Sequence, residues 1–343
     1  MPRKRLILHI GMPKTGTSSI QQTLHDNRHV LASLGVIYPE LGQLHGGAHH
    51  SWVKLITNAN SQFAPPSIDS VDALKLLDTI RLAKDQNTII LSSEGFWNKT
   101  GFQHFLPEIV EGFRITIVVL LRHPISYVDS LVNQGSKMRL YPQWEHLPDH
   151  SGWRDHIPKY YMDILTMWRD ATFVDDLKVG LFDGKRDAWQ QFAELADPRL
   201  LGSISSAKDR YNVSFRPEAL AFLKDYVSLK RERTLTEASI IFNVLEDYSR
   251  NKNAEDPRLF TLLPPEASEY INAKFEADMR AVEREFLGGK AVFEPPPMRR
   301  SYVDIDSIGP AELGSVKDYI IERLCQHTEY LSSLKPISQP ASA

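Results

Sequence analysis

A chain of 343 residues suffices for one large α/β domain with additions or for two small domains, and its 42% hydrophobic and 24% charged content is that of a globular protein. The formal net charge of −3 argues against a general nucleic-acid binder, which carries a basic excess. The single cysteine, Cys325, excludes an internal disulfide framework and a cysteine-rich zinc site.

The opening "MPRKRLILHIGMPK" has a basic head, but its apolar run is about five residues long, below the roughly 7–15 of a secretory signal and the about 20 of a membrane span. The expectation is a cytoplasmic protein without a membrane span, in which the sequons at Asn98 and Asn212 carry little weight. "RLILHIG" predicts a buried strand ending at a glycine turn. From Ser18 to Leu34, the near-helical spacing of Ile20, Leu24, Leu31 and Leu34 predicts a helix stopped by Gly35. "GVIYP" predicts a short strand, and the stretch from "LGQLHGGAHHSW" to "SQFAPPS" an irregular cover over a site or the surface. A helix, "SVDALKLLDTIRLAK", and a buried strand, "NTIILSSE", follow. "RITIVVLLRHP" is the clearest strand, a β-branched run stopped by Arg122 and Pro124, with a helix from about Ile125 to Met138 after it. "KVGLF" predicts a further strand between the helical patterns "YYMDILTMW" and "DAWQQFAEL".

From about Arg216 the pattern is helical, through "PEALAFLKDYV", "EASIIFNVLEDY", "PPEASEYINAKFEADMRAVEREFL" and "VKDYIIERLCQHTEYL". Strands alternating with helices predict an α/β fold with a mostly parallel central sheet covered on both faces. The expected organisation is a single domain over 1–331, with an α/β core at about 5–196 and a helical part at about 210–331. A loose tail, 332–343, follows.

The chemistry concentrates in "LILHIGMPKTGTSSIQQTL". Gly11 and Gly16 keep the spacing of a phosphate loop, G-x-x-x-x-G-K-[ST], but Thr17 follows Gly16 and the lysine, Lys14, lies inside the loop. A strand–loop–helix of this kind aims backbone N–H groups and a helix N-terminus at one anion, and Thr15, Thr17, Ser18 and Ser19 add hydroxyls to the rim. A lysine within the loop sits beside the outer face of a held phosphate, where it neutralises a bridging oxygen that gains charge as a bond breaks. A capped turn without ligand, with Lys14 solvated, is the plain alternative.

In "LLRHPISYVDSLVNQ", Arg122 ends a buried strand and so emerges at the carboxyl edge of the sheet, where α/β proteins bind ligands. Ser126 and Ser130 share a face of the following helix, and Arg122 with Ser130 can clasp a second phosphate. An arginine paired with a carboxylate, and serines facing solvent, is the alternative. In "IILSSEGFW", Glu94 emerges at the same edge as a candidate general base, with Phe96 and Trp97 near enough to raise its pKa by desolvation. Pairing of Glu94 with Lys14 or Arg122 is the competing reading. His45, His49 and His50 have no acidic or cysteine partner at a metal-site spacing, and lining an acceptor site or plain loop placement suits them better. Trp144, His146 and Trp153 are candidate sugar platforms, and Lys137, Arg139 and Arg154 candidate holders of an anionic acceptor; a lid over hydrophobic surface is the alternative.

Together the two phosphate motifs resemble those of the PAPS-dependent sulfotransferases (PAPS being 3′-phosphoadenosine 5′-phosphosulfate). The family's 5′-phosphosulfate loop, P-K-[ST]-G-[ST]-[ST], is matched by Pro13, Lys14, Thr15, Gly16, Thr17 and Ser18. Its 3′-phosphate motif, an arginine at a strand end with a serine eight residues later, is matched by Arg122 and Ser130. The resemblance covers roughly residues 5 to 135; the helical remainder is similar only loosely to bacterial, glycan-type members, and the "RKGxxGDWK" element of the cytosolic small-molecule branch is absent. It implies a P-loop NTPase-like three-layer core and PAPS as donor, with PAP as product. The donor would be held by Lys14, Thr15, Gly16, Thr17, Ser18, Ser19, Arg122 and Ser130. It further implies Lys14 and Glu94 as catalytic residues, no metal, and a carbohydrate acceptor near His49, His50, Lys137 and Arg139. A nucleotide-dependent kinase with a displaced lysine, using Glu94 to hold magnesium, and a non-catalytic nucleotide-binding module are the rival readings.

Overall fold

Five of the short apolar runs pair into one sheet: β1 (Lys4–His9), β2 (Val36–Ile37), β3 (Thr88–Ser92), β4 (Phe113–Leu121) and β5 (Asp176–Leu181). The structure, a computed structural model, describes residues 3–57, 70–82, 87–97, 112–148, 151–204, 206, 213–229, 232–256, 260–296 and 301–326. The expected tail, the sequons at Asn98 and Asn212, the "SQFAPPS" stretch and the side chain of His45 lie outside the described residues. The strand order is β2-β3-β1-β4-β5, and every neighbouring pair is parallel.

The two-residue period of a strand sends alternate side chains to opposite faces, and both faces are buried here. Leu6, Leu8, Ile115, Ile117 and Val119 face one hydrophobic cluster, which also takes in the helical part of the chain. Ile7, Ile90, Val118 and Leu120 face the other, closed by α1 (Thr17–Asp26), α2 (Arg28–Ser33) and α7 (Ala188–Ala196). The result is a three-layer α/β arrangement.

The winding has a direction. From β1 the chain moves to β2 and β3 on one side, and from β4 it moves to β5 on the other. The reversal falls between β1 and β4 and opens a crevice at their carboxyl ends. The turn after β1 and Arg122 after β4 both lie there.

The helical part consists of α8 (Pro217–Leu229), α9 (Leu235–Glu255), α10 (Pro265–Glu285) and α11 (Pro310–Gln326). Thr234 and Glu237 start α9 with a reciprocal capping box. α10 packs against α5 (Pro124–Met138) and α6 (Tyr161–Arg169). Asp278 of α10 accepts from Tyr161 N at 2.8 Å and Met162 N at 3.0 Å, satisfying two of the open amides of α6, and Tyr161 OH donates to the Arg122 carbonyl at 2.9 Å. No helix among the described residues is long and apolar enough to cross a membrane.

Three elements differ from the sequence expectations. The helix expected from Ser18 to Leu34 is two helices, broken at Asn27 (φ −103°, ψ 21°), whose Nδ2 donates to the Thr23 carbonyl at 2.8 Å and competes with the helical ladder. The histidine- and glycine-rich stretch holds a 3-10 turn, His45–Gly47, and a helix, α3 (His50–Thr57), ahead of the expected helix α4 (Ser70–Leu82). β6 (Phe260–Thr261) and β7 (Ser301–Tyr302) form a small parallel pair too short to show a period.

Candidate functional site

The β1–α1 turn is fixed by close approaches. A Cβ on Gly11 would stand 2.4 Å from Thr17 Cγ2, and one on Gly16, where φ is +81°, 2.4 Å from Ala188 Cβ. Lys14 has φ 67°, the only non-glycine residue in the left-handed region among the described residues. That conformation costs an L-residue about 1–2 kcal/mol and needs surrounding contacts to persist. Two are visible: Arg122 Nη1 donates to the Lys14 carbonyl at 2.8 Å, and Thr15 Oγ1 donates to the Met12 carbonyl at 2.7 Å. The first intrahelical bond of α1 runs from Ile20 N to Gly16 O (3.1 Å), so the amides of Thr17, Ser18 and Ser19 have no partner within the helix. With the helix dipole behind them they can receive an anion, and this N-terminus is the candidate anion seat.

Lys14 supplies positive charge at that seat. Its Nζ is 3.4 Å from Gln134 Oε1 of α5. Burial, and then the Arg122 charge, push its pKa down to about 8, against the pull of Glu94, so the ammonium form dominates at neutral pH. The Arg122 guanidinium also lies 5.6 Å from the Phe182 ring centroid. Ser126 and Ser130 stand half-buried on α5, four residues apart on one face.

Glu94 opens a 3-10 turn after β3. Its Oε1 accepts from Thr17 Oγ1, and its Oε2 accepts from Gln21 Nε2 at 3.3 Å and faces His50 Nε2 at 3.8 Å. Those partners, rather than Lys14 or Arg122, hold the carboxylate. Burial does push its pKa up, as expected from Phe96 and Trp97. The His50 charge, the Thr17 hydroxyl, a backbone N–H and Gln21 outweigh that effect, so Glu94 is held below the usual carboxylate range. The expected raised pKa is therefore corrected to a lowered one, because the His50 charge and three hydrogen-bond donors converge on the ionised form. Burial lowers the pKa of His50, and Glu94 opposes that shift. Ser93 Oγ accepts from Gly95 N (3.0 Å) and lies 2.7 Å from His50 Nδ1.

The other expected site residues fall into different settings. Thr15 and Thr17 have committed their hydroxyls inside the protein, which leaves Ser18 and Ser19 as the half-buried hydroxyls of the rim. His49 is fully buried: its Nε2 bonds the Pro39 carbonyl at 2.7 Å, its Nδ1 accepts from Ser92 N at 3.2 Å, and burial lowers its pKa to about 3. Its neutral ring is held by backbone on both sides and has no face toward an acceptor. Lys137 is 1% exposed, bonded to the Val213 carbonyl at 3.0 Å between the rings of Phe215 and Phe242, so it too is closed to solvent. Both placements correct the expectation of acceptor contacts, because the side chains serve the interior. Arg139 is half-buried and donates from Nε to the Glu145 carbonyl at 3.3 Å. Trp153 is buried with the Arg154 guanidinium over its ring at 4.3 Å, whereas Trp144 is partly exposed and His146 exposed.

Several residues at the site were not singled out from the sequence. Gln21 lies four residues after Thr17, and Gln134 four after Ser130, so a helical-face reading could have found both. His9 gave no such signal. It is fully buried at the end of β1, with Nδ1 2.7 Å from Ser92 Oγ, Nε2 without a partner, and a pKa lowered by burial to about 4. A cavity of about 170 Å³ is lined by His123, Asn272, Met279, Arg280, Phe293 and Pro295 among others. Among the described residues, no cluster of three or more His, Cys, Asp or Glu is placed to hold a metal ion. No protein-family model, curated protein or solved structure matches the chain.

Proposed function

We propose that the protein is a cytoplasmic sulfotransferase that moves the sulfuryl group of PAPS to a hydroxyl or amine of an acceptor, chosen as a carbohydrate, and releases PAP. One observation carries the reading. Groups from the ends of three strands, Lys14 after β1, Glu94 after β3 and Arg122 after β4, gather around one turn, with Arg122 bonded to the Lys14 carbonyl and Glu94 to Thr17. The P-K-T-G-T-S sequence of that turn, the strand order and the arginine–serine spacing support a P-loop-like core serving a nucleotide with two separate phosphates.

In this reading the 5′-phosphate rests on the loop and α1 amides from Thr15 to Ser19, and the 3′-phosphate on Arg122 and Ser130. Glu94, ionised at neutral pH, takes the acceptor proton. The acceptor oxygen or nitrogen bonds to sulfur as the bond from sulfur to the bridging phosphate oxygen breaks, and the electron pair leaves with PAP. Lys14 faces the charge that develops on that oxygen. The neutralising charges are side chains, so the reaction requires no metal. Catalysis is positioning and electrostatics.

Titration calorimetry in chelator, with PAP, AMP and ATP as ligands, tests the donor. A charged phosphate contact contributes about 1.5–3 kcal/mol, so PAP should bind about 10- to 150-fold more tightly than AMP. Arg122→Ala should erase the difference. Equal affinity for PAP and AMP in the intact protein would sink the assignment, as would a strict magnesium requirement, which favours the kinase. Transfer from labelled PAPS to a panel of glycans, lipids and phenols then names the acceptor class.

A further inference from the structure

Thr17 has one hydroxyl proton, and it is committed to Glu94 Oε1. Thr17 is also the first residue of α1, on the rim of the anion seat. Its methyl group is packed against Gly11, where any Cβ would stand 2.4 Å from it, and this turns the hydroxyl toward Glu94. An anion on the neighbouring amides offers only lone pairs and full charge. The hydroxyl cannot donate to that anion and to Glu94 at once.

Building on the donor and base roles proposed above, we propose that Thr17 couples occupancy of the loop to release of the base. An anion on the loop takes the Thr17 O–H, and Glu94 Oε1 is left as an open lone pair for the acceptor proton. Gln21 and His50 stay at Oε2 and keep the carboxylate oriented. The transfer then balances. The acceptor proton passes to Oε1, the acceptor bonds to sulfur, and the old sulfur–oxygen pair departs with PAP. Before the donor arrives, Glu94 is a poor proton acceptor, so proton abstraction waits for the group that will use it. The other titratable groups that feel Glu94 are His50 on α3, Lys14 in the loop, His9 on β1 and Tyr38 after β2.

The experiment follows the Glu94 carboxyl by carbon-13 NMR on protein labelled at glutamate, with the resonance assigned by its loss in Glu94→Gln. Wild type, Thr17→Val and Thr17→Ser are titrated with and without PAP. The charge of PAP displaces the Glu94 titration upward in every protein, so the quantity read is the excess in wild type over Thr17→Val. An excess of about one pH unit is expected, the size of one charged hydrogen bond. Thr17→Ser, which keeps the hydroxyl, should follow wild type, and Thr17→Ala should follow Thr17→Val if the valine protein does not fold. Equal displacement in all variants overturns the coupling and leaves the donor reading standing. Failure of both PAP and inorganic phosphate to bind wild type overturns both.

Discussion

Replacing Lys137 with methionine should stabilise the protein in mild acid and lose that advantage in alkali. The lysine sits on α5 with 1% of its surface exposed, bonded to the Val213 carbonyl and flanked by Phe215 and Phe242. Burial first, and then the charge of Lys14, push its pKa down to about 7 from an ordinary 10.5, while Glu246 opposes them. Below pH 7 the amine is charged in both folded and unfolded chains, and burial of the charge costs its full amount. Between pH 7 and 10.5 the unfolded chain holds a proton that the folded one has released, so stability rises with pH. The gap between those values corresponds to a ceiling of about 5 kcal/mol, of which about 2–3 kcal/mol appears between pH 7 and pH 9. Methionine keeps the length and the packing without the charge, but leaves the Val213 carbonyl unbonded at a cost of about 1–3 kcal/mol. Urea unfolding at pH 6, 8 and 10 should show the variant ahead by about 2–4 kcal/mol at pH 6 and level or behind at pH 10. Parallel stability curves for the two proteins would refute the reasoning, because they would mean that Lys137 does not change its protonation on folding.

Glu94→Gln should lower turnover by about 10²–10⁴ while PAP affinity and melting temperature stay near wild type, since the amide still accepts from Thr17. A native rate in this variant would remove Glu94 as the base. Lys14→Ala should cut turnover by roughly 10²–10³, well beyond its effect on PAP binding; the reverse pattern would make Lys14 an anchor only. Lys14→Gly should lose the same activity yet unfold at higher urea than Lys14→Ala, by about 1 kcal/mol, because glycine adopts φ 67° without strain. Gly16→Ala should destabilise the fold by about 1–3 kcal/mol, read by urea unfolding, because its methyl group meets Ala188; an unchanged midpoint would contradict that contact.

The sequence made the strand ends legible because each apolar run stops at a residue that cannot remain inside it. In parallel strands such ends fall on one edge, so Glu94 and Arg122 could be assigned to the same side before any coordinates. What joins Glu94 to His50 was hidden. His50 opens a helix behind Gly46 and Gly47, whose positive φ values of 72° and 80° make a turn that read as irregular chain. Lys137 misled for a different reason. A lysine on an amphipathic helix normally reaches water, and only the docking of Val213, Phe215 and α9 encloses this one. The lowered pKa of Glu94 was equally out of reach, because it depends on where the hydroxyl of Thr17 points. Composition near Glu94 showed the desolvating rings but not the donors.

The cap that Asp278 places on α6 has a consequence for synthesis. The carboxylate lies 117 residues after the Tyr161 amide it receives. A ribosome adding about 5–20 residues per second makes it roughly ten seconds after the helix it completes. Through that interval Tyr161, whose hydroxyl holds the Arg122 carbonyl, belongs to a helix with open amides. The turn after β1 draws on Arg122 and Ala188, and Glu94 on Thr17, whereas the arginine side of the crevice also waits for Asp278. A nascent polypeptide therefore carries the turn after β1, Glu94 and Arg122 well before the carboxylate that completes the helix holding the Arg122 carbonyl has been made.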